Sequence, residues 1–279
     1  MLRSSIFIIL WTILLPCYAW NALGHEIVAA IAYQNLKPNV KKKVNEMATV
    51  LSQEYPSITS FVQMAPWPDS LRSQKIEIYT HWHYIDHYFS TDGTPITTAP
   101  DTDNVVFALN QMEPILSNTH ANPYDQARIL AFFVHCVGDI HQPLHTTSRV
   151  SATYPKGDLG GNLYYVYYPT QNTTTSLHTL WDNGFNFLSG EVTDENASSI
   201  AHTITALYPE SYFGNKANDL YPEDWANEGT NLAIKITYQT PEYEVPSTDY
   251  QGLGTQTVEQ QLALAGYRLA HLLNTLYSD

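Results

Sequence analysis

Positive charge is scarce in this sequence. Its 279 residues include 13 lysines and arginines against 27 acidic residues, which gives a formal net charge of −14. A protein that holds duplex DNA against a basic face needs the opposite balance, so the composition argues against that class of binding protein. It does not exclude an enzyme that binds phosphate groups through metal ions, because the ions bring their own positive charge to the site.

Long apolar runs are also rare, and the clearest one lies near the N-terminus. Arg3 precedes the apolar residues 6–15, and residues 17–19 end in a small alanine, as signal peptidase requires. The apolar run is shorter than the ~20 residues of a membrane-spanning helix. The pattern predicts a signal peptide over residues 1–19, cleaved after Ala19, and therefore a secreted or periplasmic protein. A membrane anchor or a lipid-modified cysteine is the alternative.

Cysteine is nearly absent, because the sequence contains only Cys17 and Cys136. Cleavage of the predicted signal peptide would leave Cys136 alone, and the mature chain could then form no internal disulfide. An exported protein without disulfides must be stabilised by a large core, by bound metals, or by both. Cys136 lies in an apolar helical segment, which is typical of a small core residue rather than of a thiolate ligand.

What the sequence does contain is helical periodicity. Apolar residues recur at helical spacing in four segments, residues 24–36, 40–51, 124–140 and 257–277. Residues 162–170 alternate weakly between apolar and polar side chains, which predicts a short strand. No repeat and no linker divides the chain. The sequence therefore predicts one compact, mainly α domain over residues 20–279, with a short β-hairpin and long loops.

Two pairs of histidine and aspartate stand four residues apart in predicted helices. His135 and Asp139 would share one helix face, as would His178 and Asp182, so each pair could offer two ligands to one ion. Either pair alone is equally compatible with a routine hydrogen-bonded pair in a helical protein. The pairs become informative only together with other candidate ligands.

Four further candidate ligands lie in apolar or aromatic surroundings, and they are His25, Asp69, His83 and His145. A lone histidine in such a segment is usually structural. However, burying this many titratable groups without metal would cost several kcal/mol each unless all were paired. Nitrogen and carboxylate ligands without thiolate suit Zn²⁺ in a hydrolytic site. Signal cleavage would free the amino group of Trp20 as a ninth ligand. Nine protein ligands indicate more than one ion.

These residues and their spacing resemble the S1/P1 nucleases, a family of zinc enzymes related to bacterial zinc phospholipase C. The resemblance covers at least residues 20–182 and implies the multi-helix fold of the zinc phospholipase C and P1 nuclease type. The matching motifs, in chain order, are W-x4-H from Trp20, W-x-D-x2-R from Trp67, HYID from His83, H-x3-D-x2-QPLH from His135, GGN from Gly160 and H-x3-D from His178.

The resemblance assigns the candidate ligands to three zinc ions per chain. The first ion would be held by Asp69, His83, His135 and Asp139. The second ion would be held by His145, His178 and Asp182. The third would be held by His25, by Asp139 and by the amino nitrogen and carbonyl oxygen of Trp20. Asp139 would therefore bridge two ions, which a carboxylate can do because it has two oxygens.

The resemblance also implies an endonuclease that cleaves single-stranded DNA and RNA to 5′-phosphorylated products, with 3′-nucleotidase activity. A zinc-activated water would attack phosphorus. Asp69 and Arg72 are the implied catalytic residues, and the planar guanidinium of Arg72 would bind the non-bridging phosphate oxygens. Tyr84 would stack on a base, while Asp86 and Asn162 would form hydrogen bonds with the edge of that base. The enzyme is expected to be a monomer without stable membrane association.

Two other functions are compatible with the same ligands. A zinc phospholipase C acting on phospholipid headgroups would share the fold and the metals, but it carries glutamate where this chain has Asp182. A metal-binding protein without catalysis would keep the ligands, and Arg72 argues against it. His141 lies four residues before His145, yet the family does not use that position as a ligand. We expect His141 behind the ligands or at the surface.

Overall fold

Helices make up most of the chain. The computed structural model describes residues 20–168 and 173–278, so the predicted signal peptide lies outside the described residues. The α-helices of the described chain are α1 (Ala22–Asn35), α2 (Pro38–Ser52), α3 (Phe61–Met64), α4 (Trp67–Ser73), α5 (Val105–Leu116), α6 (Pro123–Asp139), α7 (Leu177–Asp182), α8 (Asp194–Leu207), α9 (Glu210–Phe213), α10 (Pro222–Lys235) and α11 (Thr248–Leu276). The strands are β1 (His87–Ser90), β2 (Thr147–Val150), β3 (Tyr165–Tyr168) and β4 (Thr173–Ser176).

All four predicted helical segments are helices, and they form α1, α2, α6 and α11. The predicted start of α11 was wrong, because the helix begins at Thr248 rather than at residue 257. Ser247 caps it by accepting a hydrogen bond from the Tyr250 N–H. Gly254 interrupts the sequence pattern, but a Cβ there would lie 2.3 Å from the Phe185 ring. Glycine is therefore a packing requirement inside this helix and not a signal that it ends.

The predicted hairpin is confirmed, and a second pair of strands was not anticipated. β3 pairs antiparallel with β4, whereas β1 pairs parallel with β2 in the register His87 to Thr147. The Ile85 N–H donates to the His145 carbonyl at 2.8 Å, which continues this contact toward the ligands. The parallel pair thus places the segment after His83 beside the segment after His145.

The core surrounds α1 and α6. The residues of α1 from Leu23 to Ala32 are all buried, and α1 packs against α8 and α11. α6 packs against α2, α4 and α5, and its residues from Leu130 to Asp139 are buried on every side. α6 ends at Asp139, and Gln142 is extended at ψ 117°, as the following proline requires. This end of α6 lies inside the protein, where its polar groups need partners.

Two smaller expectations concern the core and the membrane. Cys136 is fully buried, and its thiol faces the Trp82 carbonyl at 3.3 Å, so its prediction as a core residue is confirmed. Within residues 20–168 and 173–278, the helices lack the combination of length and apolar character that would let one of them cross a membrane.

Candidate metal centre

The last two turns of α6 present His135 and Asp139 on one buried face, as their spacing predicts. The Nδ1–H of His135 donates to the Ala65 carbonyl at 2.8 Å, which leaves Nε2 as the nitrogen that faces inward. Nε2 lies 3.2 Å from Asp139 Oδ2 and 2.9 Å from His83 Nδ1. Three potential ligand atoms from two segments therefore meet at one point.

His83 and Asp69 complete this first group. His83 ends a 3₁₀ turn (Thr80–His83), and its Nδ1 lies 3.0 Å from Asp139 Oδ2. Asp69 lies in the first turn of α4, with Oδ1 3.7 Å from His83 Nδ1 and 3.6 Å from His135 Nε2. We call Asp69, His83, His135 and Asp139 the first ligand group. His83, His135 and Asp139 can reach one ion together, and Asp69 forms a further such group with His25 and His135.

His25 approaches the same carboxylate from the other side. Its ring stacks on the His135 ring at 3.9 Å between centroids, and its Nε2 lies 3.3 Å from Asp139 Oδ1. Gly138 makes this approach possible, because a Cβ there would lie 2.9 Å from His25 Nδ1. Trp20 lies beside the same turn, where its indole N–H donates to the Gly138 carbonyl at 3.0 Å. The two oxygens of Asp139 thus face different sets of nitrogens.

A second ligand group contains His145, His178 and Asp182. The Nδ1–H of His145 donates to the His83 carbonyl at 2.6 Å, and that of His178 donates to the Gly160 carbonyl at 2.7 Å. These bonds direct both Nε2 atoms inward, where they lie 3.1 Å apart. Asp182 Oδ2 is 3.5 Å from His178 Nε2. Backbone carbonyls therefore fix the tautomer of each histidine, as is usual around protein metal sites.

The donor atoms of both groups fit a bound cation. Among the described residues, four buried atoms of this region have no hydrogen-bond partner: both ring nitrogens of His25, Oδ1 of Asp69 and Oδ1 of Asp139. Burial and the neighbouring His178 lower the pKa of His145 to about 3, so the His145 ring is neutral at neutral pH and offers a lone pair. A metal ion satisfies facing lone pairs of this kind, and nitrogen with carboxylate oxygen suits zinc.

Electrostatics in the first group lead to the same conclusion by another route. Burial lowers the pKa of His135, but the charges of Asp139 and Asp69 outweigh it and raise the pKa to about 9. The same histidine holds the pKa of Asp139 well below its ordinary value. Two buried carboxylates attract positive charge strongly here, which is a property that a cation site requires.

Sequence reasoning missed the residues that support the ligands. Gln142 is fully buried, and its Nε2 donates to Asp182 Oδ1 at 2.6 Å. Gly160 has a positive φ of 60°, and a Cβ there would lie 2.4 Å from the Leu144 carbonyl oxygen. Only glycine therefore allows the Gly160 carbonyl to reach His178. Gln142 lies in the QPLH motif and Gly160 in the GGN motif. Their place in these motifs is the sequence signal that could have identified them.

The four predicted substrate-side residues lie around these groups. Arg72 follows Asp69 by one turn of α4, and Tyr84 directly follows His83. The Asn162 side chain donates to the Leu159 carbonyl at 2.8 Å, two residues after the Gly160 carbonyl that holds His178. Burial and then the charge of Asp158 raise the pKa of Asp86 to about 6. All four side chains are half-buried.

A cleft of about 360 Å³ gives access to both ligand groups. It lies between the start of α1, α4 and α7, and both Asp69 and Asp182 line it. Neutral polar residues form most of its remaining wall: Asn21, Ser70, Ser73, Thr179 and Asn183. A phosphate group that entered this cleft would meet carboxylates, so it needs bound cations to be held there.

The remaining histidines lie outside the ligand groups. His141 is buried, which excludes the predicted surface position, and its Nδ1–H donates to the Val137 carbonyl at 2.7 Å. Its other nitrogen accepts a hydrogen bond from Arg268 at 2.9 Å. His81 lies 3.7 Å from Asp101 at the surface, and His87 contacts Thr230.

Comparisons with known proteins agree with this geometry. A family model described as S1/P1 Nuclease matches residues 20–278. Nuclease S1 from Aspergillus oryzae is 26% identical over 289 aligned residues, which cover 94% of this chain and 93% of the relative. Nuclease P1 from Penicillium citrinum is 24% identical and covers 93% and 98%, respectively. Endonuclease 5 from Arabidopsis thaliana is 31% identical over a shorter stretch, 56% of this chain and 53% of the relative.

The family match extends over nearly the whole described chain. It includes the segments that carry both ligand groups and the cleft between them. The relatives named above are all nucleases, and the comparisons do not favour the phospholipase alternative. The chain therefore belongs to the S1/P1 nuclease family and is a nuclease, a hydrolase of the S1/P1 type.

Proposed function

We propose that this chain is an exported, zinc-dependent phosphodiesterase that cleaves single-stranded DNA and RNA to 5′-phosphorylated products and also removes 3′-phosphates from nucleotides. Residues 1–19 would be the signal peptide and residues 20–279 the nuclease domain. The observation that carries this proposal is the pair of buried ligand groups whose donor atoms face one another beside an open cleft. Family membership narrows that chemistry to phosphodiester hydrolysis.

Three zinc ions would be held by the predicted ligands. Asp69, His83, His135 and Asp139 would hold the first, and their donor atoms lie within 4 Å of one another across the pairs measured above. His145, His178 and Asp182 would hold the second. A bridging role for Asp139 is supported by its geometry, because Oδ2 faces His83 and His135 while Oδ1 faces His25.

The third ion would be held by Trp20, His25 and Asp139. Cleavage after residue 19 would give Trp20 a free α-amino group, and its indole hydrogen bond to Gly138 keeps it beside Asp139. An additional residue before Trp20 would convert the amine into an amide, which is a poor metal ligand. We expect such an extended form to bind two zinc ions, measured by elemental analysis. Three ions in both forms would contradict the assignment.

Bound zinc would supply Lewis acidity and positive charge to a phosphodiester in the cleft. The chain's own residues would position the reactants. Asp69 Oδ1 is buried without a hydrogen-bond partner and would accept a hydrogen bond from the attacking water, which orients it toward phosphorus. Arg72, one turn further along α4, would bind the non-bridging oxygens through two parallel N–H groups. The water oxygen would bond to phosphorus while the bond to the 3′ oxygen breaks, and the 3′ oxygen would leave as a hydroxyl with a proton that the water releases. The phosphate would remain on the 5′ side.

Recognition of a single base would limit the enzyme to single strands. Tyr84 would stack on the base, and Asp86 and Asn162 would form hydrogen bonds with the edge of the base. The half-buried position of all three residues supports this role, as does the link from Asn162 through Leu159 to the loop that holds His178. A base inside a duplex could not reach such a pocket without leaving its stack.

The decisive experiment measures metal content and reaction products on purified protein that begins at Trp20. We expect three zinc ions per chain, rapid cleavage of single-stranded DNA and RNA with 5′-phosphate ends, and release of phosphate from 3′-nucleotides. Phosphatidylcholine serves as the contrasting substrate. Hydrolysis of phosphatidylcholine without cleavage of polynucleotides would overturn the proposal.

Two variants test the site itself. Asp69→Asn and His83→Ala should each abolish cleavage of single-stranded DNA, because each removes a proposed ligand of the first ion. His120→Ala is the matched control, since His120 is an exposed histidine outside both ligand groups. Wild-type activity in Asp69→Asn or His83→Ala would refute the assignment of the first ion.

A further inference from the structure

A second groove lies along α6, apart from the cleft at the ligand groups. Its volume is about 500 Å³, within the range of small-molecule sites. Tyr79, Trp82 and Phe132 form an aromatic wall, and Arg128 supplies a positive charge. None of these four residues is used by the proposed reaction. The groove therefore needs an explanation of its own.

The groove and the metal centre share one stripe of α6. Arg128, Phe132, His135 and Asp139 follow one another at spacings of four, three and four residues, so they lie on the same helix face. Arg128 is seven residues from His135, which corresponds to about 10 Å along the helix axis. That distance is comparable to one or two nucleotides of an extended strand. The helix spacing thus places the groove within a few nucleotides' length of the ligand groups.

The aromatic wall is held in place and remains partly open to solvent. Tyr79 and Trp82 pack with their ring centroids 4.9 Å apart, and Tyr79 lies 4.7 Å from Phe132. The Trp82 indole N–H donates to Asp103 Oδ1 at 2.8 Å, which fixes its orientation. Tyr79 and Trp82 are half-buried, so part of each ring remains available for stacking.

Arg128 is the group that selects an anionic occupant. Its guanidinium lies 5.8 Å from the Tyr124 ring centroid and 5.9 Å from that of Trp67, and such contacts hold the charge at the groove. Asp125, one turn earlier on α6, also lines the groove and offers an acceptor for the amino groups of a base. Aromatic rings beside an arginine are the combination that binds single-stranded nucleic acid without strong sequence preference.

We propose that this groove binds a second nucleotide of the strand whose scissile phosphate lies at the metal centre. The base would stack on the aromatic wall of Tyr79 and Trp82, and a phosphate would contact Arg128. This inference rests on the proposed action on polynucleotides. Its consequence is that the enzyme prefers longer strands over dinucleotides, because only a longer strand can fill both sites.

The test compares kcat/KM for a dinucleotide with that for an octanucleotide, using zinc-loaded protein. Arg128→Gln and Tyr79→Leu should each lower kcat/KM for the octanucleotide about tenfold, as expected for the loss of one stacked base or its phosphate contact. The same variants should leave the dinucleotide unaffected. Lys42→Gln is the matched control, because it removes one positive charge from an exposed position on α2.

The possible outcomes separate this inference from the proposed function. Equal losses on both substrates, or no loss on the octanucleotide, would overturn the second site while leaving the nuclease proposal intact. Wild-type protein that cleaves neither substrate would overturn the proposed function. Zinc content and the thermal unfolding midpoint show whether each variant is folded. Arg128→Lys retains the charge and should recover part of the octanucleotide activity.

Discussion

Two buried polar clusters lie on either side of the last turn of α6, and they are satisfied in different ways. The first contains the ligand groups around Asp139. The second, which we call the His141 cluster, consists of His141, Arg268, Glu228 and Trp225. Asp139 and His141 are only two residues apart, yet they belong to different clusters.

The His141 cluster contains its own cation. Arg268 is fully buried, and it donates to His141 at 2.9 Å, to Glu228 at 3.0 Å and to the Lys216 carbonyl at 3.0 Å. Its guanidinium also lies 5.2 Å from the Trp225 ring centroid. Burial and the charge of Arg268 hold the pKa of His141 well below its ordinary value, so His141 is a neutral acceptor.

In the ligand groups the acceptors face one another, and the positive charge that His135 can carry is a bound proton rather than a fixed guanidinium. The Nε2 atoms of His145 and His178 are 3.1 Å apart, and Asp139 Oδ1 has no hydrogen-bond partner. The comparison shows how a structural polar cluster differs from a metal site. Burial and histidine content are common to both, and buried donor atoms without a hydrogen-bond partner distinguish the ligand groups.

The largest expected effect comes from substituting Asp139, and a substitution of His141 in the other cluster provides the comparison. Asp139→Asn should lower nuclease activity more than about 100-fold and reduce zinc content by more than one ion, because loss of a bridging ligand exceeds loss of a supporting hydrogen bond. His141→Gln should retain zinc and activity. Elemental analysis and kcat/KM on single-stranded DNA measure both. Loss of the same number of ions in the two variants would show that the clusters are one unit.

Zinc removal should affect stability next most strongly. Ions that bind only the folded chain stabilise it by about 4 kcal/mol per site when present at a thousandfold excess over Kd. Chelation should therefore lower the free energy of unfolding by at least that amount, measured by urea titration with and without chelator. Unchanged stability would mean that the ligand groups fold equally well without cations.

Arg268→Met tests the His141 cluster alone. The variant removes the internal cation, and we expect the free energy of unfolding to fall by about 3 kcal/mol, near the lower end for a broken buried pair. Lys216 remains 3.5 Å from Glu228 and moderates the loss. Zinc stoichiometry should not change. A loss of zinc in Arg268→Met would contradict the separation of the clusters.

The smallest expected effect concerns a residue that supports a ligand. Gln142→Leu removes the hydrogen bond to Asp182 and should weaken zinc binding at the second ligand group about 10- to 100-fold. Gln142→Glu, which retains the length but cannot donate when ionised, should behave similarly. A competitive chelator titration measures the affinity. Wild-type affinity in both variants would show that Asp182 needs no such support.

Much of the site could be predicted from local spacing in the sequence. The pairs His135 with Asp139 and His178 with Asp182 were predicted because an i, i+4 relation depends only on helix geometry. The turn that brings His145 round depends on Pro143 and is equally local. The roles of Gln142 and Gly160 could not be predicted in this way, since their partners lie 40 and 18 residues away.

The sequence by itself determined the helices, the candidate ligands and, through motif order, the family. Only the tertiary structure decided which polar residues meet one another. It paired His141 with Arg268 across 127 residues and left Asp139 facing His25, His83 and His135. The physical reason is that the stability of a buried charge depends on the groups around it in space, and those groups come from segments that are distant along the chain.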